Sequence, residues 1–182
     1  MVAIATIGLL PVAMPAGAAP AEMLANGDFA AGATHWALEQ NGVATAQIDI
    51  VKEGPQGKDA LRLKVLTVDD KPWKLQLCHK GIQIKNGVGY LLSFWAKSDH
   101  PVSISVNCMQ NHAPWEHHGA AEEVALSTEW KLTQFRFVGP YDDGDMRVTF
   151  TNLAVASGQL FWFADCSLKE VPTVGQAKEP SQ

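Results

Sequence analysis

The chain has 182 residues, 47% of them hydrophobic and 18% charged, with a formal net charge of −5. That composition excludes a disordered or fibrous chain and points to one folded domain with a core large enough to need no disulfide or metal staple. The acidic balance, with no basic stripe, argues against a nucleic-acid partner.

From the N-terminus, "MVAIATIGLLPVAMPAGAAPAE" is apolar from Val2 to Leu10 and then turns to small residues, with A-x-A sites at Ala16-Gly17-Ala18 and Ala19-Pro20-Ala21. This reads as a signal peptide over residues 1–21, cleaved after Ala18 or Ala21, although the first basic residue is Lys52 and the charged leader of a standard signal is missing. A secreted or periplasmic location follows as the expectation. The apolar run breaks at Pro11 and Pro15, short of the roughly 20 residues a membrane span requires, so no membrane partner is expected.

Residues 22–171 carry period-two alternation punctuated by Gly, Asn and Pro, the pattern of an all-β chain. Strands are expected at Ala44–Val51, Asp59–Leu66 and Trp73–His79, separated by turns such as "EGPQGKD". In "VGYLLSFWAKS", Tyr90, Leu92, Phe94 and Ala96 share the core face, while Leu91, Ser93, Trp95 and Lys97 share the other. "PVSISVNCM" alternates Val102, Ile104 and Val106 against Ser103, Ser105 and Asn107, and "DMRVTFT" alternates Met146, Val148 and Phe150 against Arg147 and Thr149. Two more strands are expected at Trp130–Val138 and Gln159–Leu168, after which residues 172–182 read as a tail or linker stub. Many short strands, each with one apolar face, must bury those faces against a second sheet, giving an antiparallel β-sandwich or jelly roll.

Cys78, Cys108 and Cys166 form no C-x-x-C pair, which removes the usual zinc and thioredoxin signatures. A secreted location would permit one disulfide, with Cys78 to Cys108 favoured if their strands are neighbours.

"NGDFAAGATHW", "ALRLKV", "GYLLSFWAKS", "EWKLTQFRF" and "LFWFADCSLKEV" together resemble, in that order and over about Met23 to Val171, the carbohydrate-binding modules of families four, nine and twenty-two. The resemblance implies a galactose-binding-domain-like jelly roll that binds polysaccharide for an attached or partner glycoside hydrolase and does no chemistry itself. β-Glucan, cellulose and xylan are the ligands it suggests. It also implies a structural calcium where the first strand meets the last, held by Asp28 and Asp165, but Ala30 and Ala164 stand where the family pattern has further acidic residues. No organic cofactor is required.

A sugar presents apolar C–H faces rimmed by hydroxyls, so its receptor needs aromatic platforms beside hydrogen-bonding side chains. Of the six tryptophans, Trp36, Trp130 and Trp162 are accounted for by packing or edge covering, and Trp73, Trp95 and Trp115 are the candidate platforms. The expected groove has Gln76, Trp95, Asn107 and Arg147 on its floor, with Trp115 and His112 overhanging one end. "NHAPWEHHG" places three of the six histidines in one loop, and the adjacent His117 and His118 would point oppositely in an extended chain. That spacing favours a clamping loop over a three-histidine metal site with His79. Two alternatives stay open: a glycosidase built on carboxylates among Glu116, Glu122, Glu123, Asp142, Asp143 and Asp145, and an adhesion sandwich presenting a flat apolar patch.

Overall fold

The computed structural model describes residues 20–173. The expected leader over 1–21, apart from its last two residues, and the tail beyond Thr173 lie outside the described residues. Ten strands form two antiparallel sheets of five. The front sheet has the order β1-β4-β9-β6-β7 and the back sheet β2-β3-β10-β5-β8. In chain order the strands are β1 (Trp36–Gln40), β2 (Thr45–Val51), β3 (Ala60–Thr67), β4 (Leu75–Ile84), β5 (Gly89–Ser98), β6 (Val102–Gln110), β7 (His117–Leu126), β8 (Lys131–Val138), β9 (Asp143–Thr151) and β10 (Leu160–Val171).

Alternation decides the two faces of each strand. Tyr90, Leu92, Phe94 and Ala96 on β5 are all buried, as are Met146, Val148 and Phe150 on β9 and Ile104 and Val106 on β6. The sheets meet through aromatic edges: Phe150 of the front sheet packs against Phe94 and Phe163 of the back sheet, at centroid distances of 4.9 and 4.5 Å. Each fully buried phenylalanine of this kind contributes about 1.5–3 kcal/mol relative to an exposed one. Trp36 closes the core at one end against Phe29 and His79, as a packing residue.

Two strands are absent from the sequence expectation. β1 is only five residues long, and β7 runs through "HHGAAEEVAL", whose small and charged residues carry little strand propensity. Both are edges of the front sheet, where charged side chains are an ordinary protection against strand addition. Glu122 and Glu123 therefore lie on a strand, and so do Asp143 and Asp145, rather than in loops. Trp73 in turn belongs to a short 3-10 turn, Pro72–Lys74, preceding β4.

The expected Cys78–Cys108 pairing is corrected. β9 lies between β4 and β6, and Cys78 opposes Thr149 while Cys108 opposes Val148. Thr149 and Val148 are successive residues of one strand, so the two thiols point to opposite faces of the sheet. All three cysteines are free and buried.

Candidate functional site

The outer face of the front sheet carries the polar partners of its core residues. Strand registry aligns Ala37, Cys78, Thr149, Asn107 and Ala121 in one row across all five strands. Glu39 opposes Gln76 in the adjoining row, where Thr151 opposes Ser105 and Ser105 opposes Glu123. The polar side chains of these rows form a floor that two exposed tryptophans overlook.

Trp73 is 49% and Trp115 50% exposed. Both line one cleft of about 680 Å³, together with Glu39, Lys80, Asn111 and Arg147. A second hollow of about 370 Å³ continues on the same face, lined by Ser105, Asn107, His117, Glu122, Glu123 and Thr151. The first compartment is aromatic and charged; the second is built from hydroxyl, amide and carboxylate groups.

Trp73 is held from behind by its turn. Lys74 Nζ bridges Asp69 Oδ1 at 2.6 Å and Asp70 Oδ1 at 2.7 Å, and Asp69 Oδ2 accepts the backbone N–H of Val43 at 2.8 Å. Gln76 Nε2 donates to the Trp73 carbonyl at 2.9 Å. Gln76 thus braces the Trp73 turn as well as belonging to the outer face.

Arg147 is the centre of the cleft. Its guanidinium lies 5.4 Å from the Trp115 ring centroid, and Nη1 donates to Glu39 Oε2 at 3.1 Å. Lys80 pairs with the other oxygen of Glu39. Burial would raise the Glu39 carboxyl, but the hydrogen bond from Lys80 and the charge of Arg147 outweigh it and hold the group below the ordinary carboxylate range. Arg147 Nε is buried with no partner, and Nη2 reaches only the thioether of Met109, at 3.7 Å. Cys78 lies beneath, its thiol pushed up to about 11, first by burial and then by the Glu39 charge.

The Trp115 loop is tied to β9 and β7. His112, Ala113, Pro114 and Trp115 make a tight turn closed by the Trp115 N–H donating to the His112 carbonyl at 2.9 Å. His112 Nε2 donates to Asp143 Oδ1 at 3.2 Å, and the fully buried His118 donates from Nε2 to Asp143 Oδ2 at 2.7 Å. His117 faces outward from the same strand while His118 faces in. These bonds pin the loop that carries Trp115 to the sandwich. His79 instead points to the Ala25 carbonyl at 3.1 Å, and no group of three or more His, Cys, Asp or Glu among the described residues is placed to hold a metal ion.

One expected floor residue is misplaced. Trp95 lies on β5 in the back sheet, paired with Ala164 and Leu132, and its side chain points away from the core on the opposite side of the sandwich. It shares no cleft with Gln76, Asn107, His112, Trp115, Trp73 and Arg147. On that back face Lys97 sits over the rings of Trp162 and Trp130, at 4.7 and 5.3 Å, and both indole N–H groups donate to Glu53. Trp130 and Trp162 are therefore covering residues. The cleft residues absent from the sequence expectation include Glu39, Lys80 and Asn111. Alternation from Gln76 through Cys78 points at Lys80, one position beyond the expected end of that strand, whereas Glu39 sits on the short β1 that no pattern announced.

Asp28 and Asp165 do line one hollow where the chain start meets β10. Lys58 Nζ, however, sits 3.0 Å from Asp165 Oδ2, and Asp28 Oδ1 accepts the N–H of Ala30 at 3.2 Å. Glu22, the other carboxylate there, accepts three backbone N–H groups and the Ser167 hydroxyl. A calcium ion needs six to eight oxygens. Here an ammonium already pairs with Asp165 and hydrogen-bond donors face Asp28 Oδ1 and both oxygens of Glu22, so the residues present do not fit that ion.

Residues 21–153 match the model of a carbohydrate binding domain family. Among solved structures, a CBM4 module is similar at 25% identity with a TM-score of 0.67, covering 81% of this chain and 99% of that one. The N-terminal cellulose-binding domain of Cellulomonas fimi β-1,4-glucanase C is similar in fold at 18% identity and a TM-score of 0.61, covering 86% and 99%. The CBM22-1 xylan-binding domain of Paenibacillus barcinonensis Xyn10C gives 16% identity and a TM-score of 0.62, covering 87% and 99%. No curated protein matches the chain.

Proposed function

We propose, from the premise that this chain belongs to the carbohydrate binding domain family, that it binds a polysaccharide chain across the outer face of its front sheet and does no chemistry on it. The observation that carries this reading is the pair Trp73 and Trp115, each about half exposed, on one cleft whose floor is Arg147 and Glu39. An indole ring offers the flat apolar surface that a pyranose C–H face matches, and the guanidinium and carboxylate offer a donor and an acceptor for its hydroxyls. The polar compartment around Asn107, Ser105 and Glu123 would take the next sugar units.

β-Glucan, cellulose or xylan is the ligand class we propose. Support comes from two structures that share the fold, a cellulose-binding domain and a xylan-binding domain. A preformed cleft limits the ordering cost, and the affinity expected of a site this open is roughly micromolar to millimolar. We further propose a secreted or periplasmic protein serving a glycoside hydrolase; the apolar, small-residue stretch over 1–21 supports the location.

Two carboxylates beside the cleft are already engaged by neighbouring cations and donors, which favours binding over the glycosidase alternative. Asp143 is enclosed by two imidazoles and the Asp145 N–H, and Glu39 is engaged by Arg147 and Lys80. Affinity electrophoresis in gels containing soluble β-glucan, xylan, mannan or pectin tests the proposal. Retardation by one polymer, lost in the Trp73→Ala, Trp115→Ala double variant, is the expected result. Unretarded migration on every polymer, with no retention on insoluble cellulose, would overturn it.

A further inference from the structure

His112 is placed between two acceptors. Its Nδ1 lies 2.8 Å from the carbonyl oxygen of Ala113 and its Nε2 lies 3.2 Å from Asp143 Oδ1. Neither a carbonyl nor an ionised carboxylate can donate, so both contacts are hydrogen bonds only when both ring nitrogens carry a proton. A neutral imidazole would turn a lone pair toward one of the two oxygens.

The rest of the cluster is fixed. The Asp143 side chain is 4% exposed and also accepts the buried His118 Nε2–H at 2.7 Å and the backbone N–H of Asp145 at 2.8 Å. Tyr141 lies against the His118 ring at 4.5 Å. His112, by contrast, has a side chain 48% exposed and is open to solvent. It also opens the turn that ends at Trp115, whose φ of +66° lies in the left-handed region that a bulky residue seldom adopts without support.

We propose that the His112–Asp143–His118 clasp positions the Trp115 platform, and that it grips only while His112 is an imidazolium, so that affinity for the ligand falls as pH rises. This rests on the reading of Trp115 as a sugar platform. The charged and titratable groups packed around the clasp are Asp143 and Asp145 from β9, His118 from β7, and Glu116 and Tyr141 from the flanking loops. Arg147 lies against the Trp115 ring.

The electrostatics run the same way. The Ala113 carbonyl, and then Asp143, raise His112 above its ordinary value. Burial would raise Asp143, but the Asp145 N–H and the two imidazoles prevail and hold it below the carboxylate range, so it stays ionised while His112 titrates. With the folded-state value of His112 raised, the grip is complete below the ordinary imidazole value of about 6.5 and disappears as pH climbs through the raised value.

The test has a part that needs no sugar. NMR titration of the ligand-free protein is expected to place His112 above the ordinary histidine value, and Asp143→Asn to bring it back down. Acrylamide quenching of Trp115, isolated as the difference between wild type and Trp115→Phe, is expected to increase from about pH 5.5 to about pH 9. Over the same range, retention on the bound polysaccharide should weaken about threefold to tenfold in the wild type, the size expected for one charge-assisted contact at a half-exposed site. His112→Gln keeps a donor for Asp143 without the charge, and at so exposed a position it is expected to fold; it should bind weakly and equally at both pH values. A wild-type pH profile in His112→Gln, a His112 titrating at or below its ordinary value, or unchanged Trp115 quenching would each overturn the clasp. Absence of polysaccharide retention at every pH would instead overturn the functional reading, with the titration and quenching still deciding the clasp.

Discussion

Replacing Trp115 with alanine should weaken polysaccharide binding about tenfold while leaving the fold intact. A tryptophan presents roughly 200 Å², and half of this one is open to solvent. Arg147 lies against the ring at 5.4 Å, and a sugar would cover the half left open. Covering about 100 Å² at about 25 cal/mol per Å² would contribute about 2.5 kcal/mol if the covering surface were wholly apolar. A pyranose face is only partly so, and halving that figure leaves about 1–1.5 kcal/mol, or roughly tenfold in Kd. Isothermal titration with an oligosaccharide of whichever polymer retards the wild type measures it, with thermal unfolding alongside. A folded Trp115→Ala variant that binds as the wild type does would refute the reasoning, because no other half-open ring covers that end of the cleft among the described residues.

Trp95→Ala should change affinity by less than about twofold, since the residue lies on the back sheet, well away from the cleft floor; the same titration decides it, and a tenfold loss would move the binding site to the other face. Gly27→Ala should destabilise by about 2–4 kcal/mol in urea unfolding, because a Cβ there would stand 1.8 Å from the backbone carbonyl oxygen of Cys166, which cannot move without breaking the Cys166 N–H bond to Gly27. A chelator, or added calcium, should leave Tm unchanged to within about 1 °C, since Lys58 already neutralises Asp165.

How much of this was legible beforehand can be argued from single residues. "GYLLSFWAKS" announces its own two faces, because side chains alternate every residue and an apolar set on one side is a strand that buries that side. Eight of the ten strands carry such a signal, and so the sandwich was readable. β7 carries none: Gly119, Ala120 and Ala121 are small, Glu122 and Glu123 break the alternation, and pairing with β6 alone makes it a strand. Trp73 and Trp115 were recognisable as exposed rings because each follows a proline in a polar loop at a strand end. Their convergence on one cleft was not, since it depends on two residues 42 positions apart in separate connections meeting over the same strands.

By itself, then, the amino-acid order determined which side chains on a strand point together, where most strands begin and end, and that their apolar faces must close on each other. It also determined that His117 and His118, being adjacent, diverge in an extended chain. Only the tertiary structure decided which sheet each strand joined, and with it that Trp95 faces away from the site, that Cys78 and Cys108 are separated by β9, and that Lys58 arrives at Asp165 from 107 positions away. The physical reason is that strands pair through backbone N–H and C=O groups, which are the same at every residue, so alternation specifies a face without specifying a neighbour. The choice of neighbour is made by the joint packing of two five-stranded sheets around Phe94, Phe150 and Phe163.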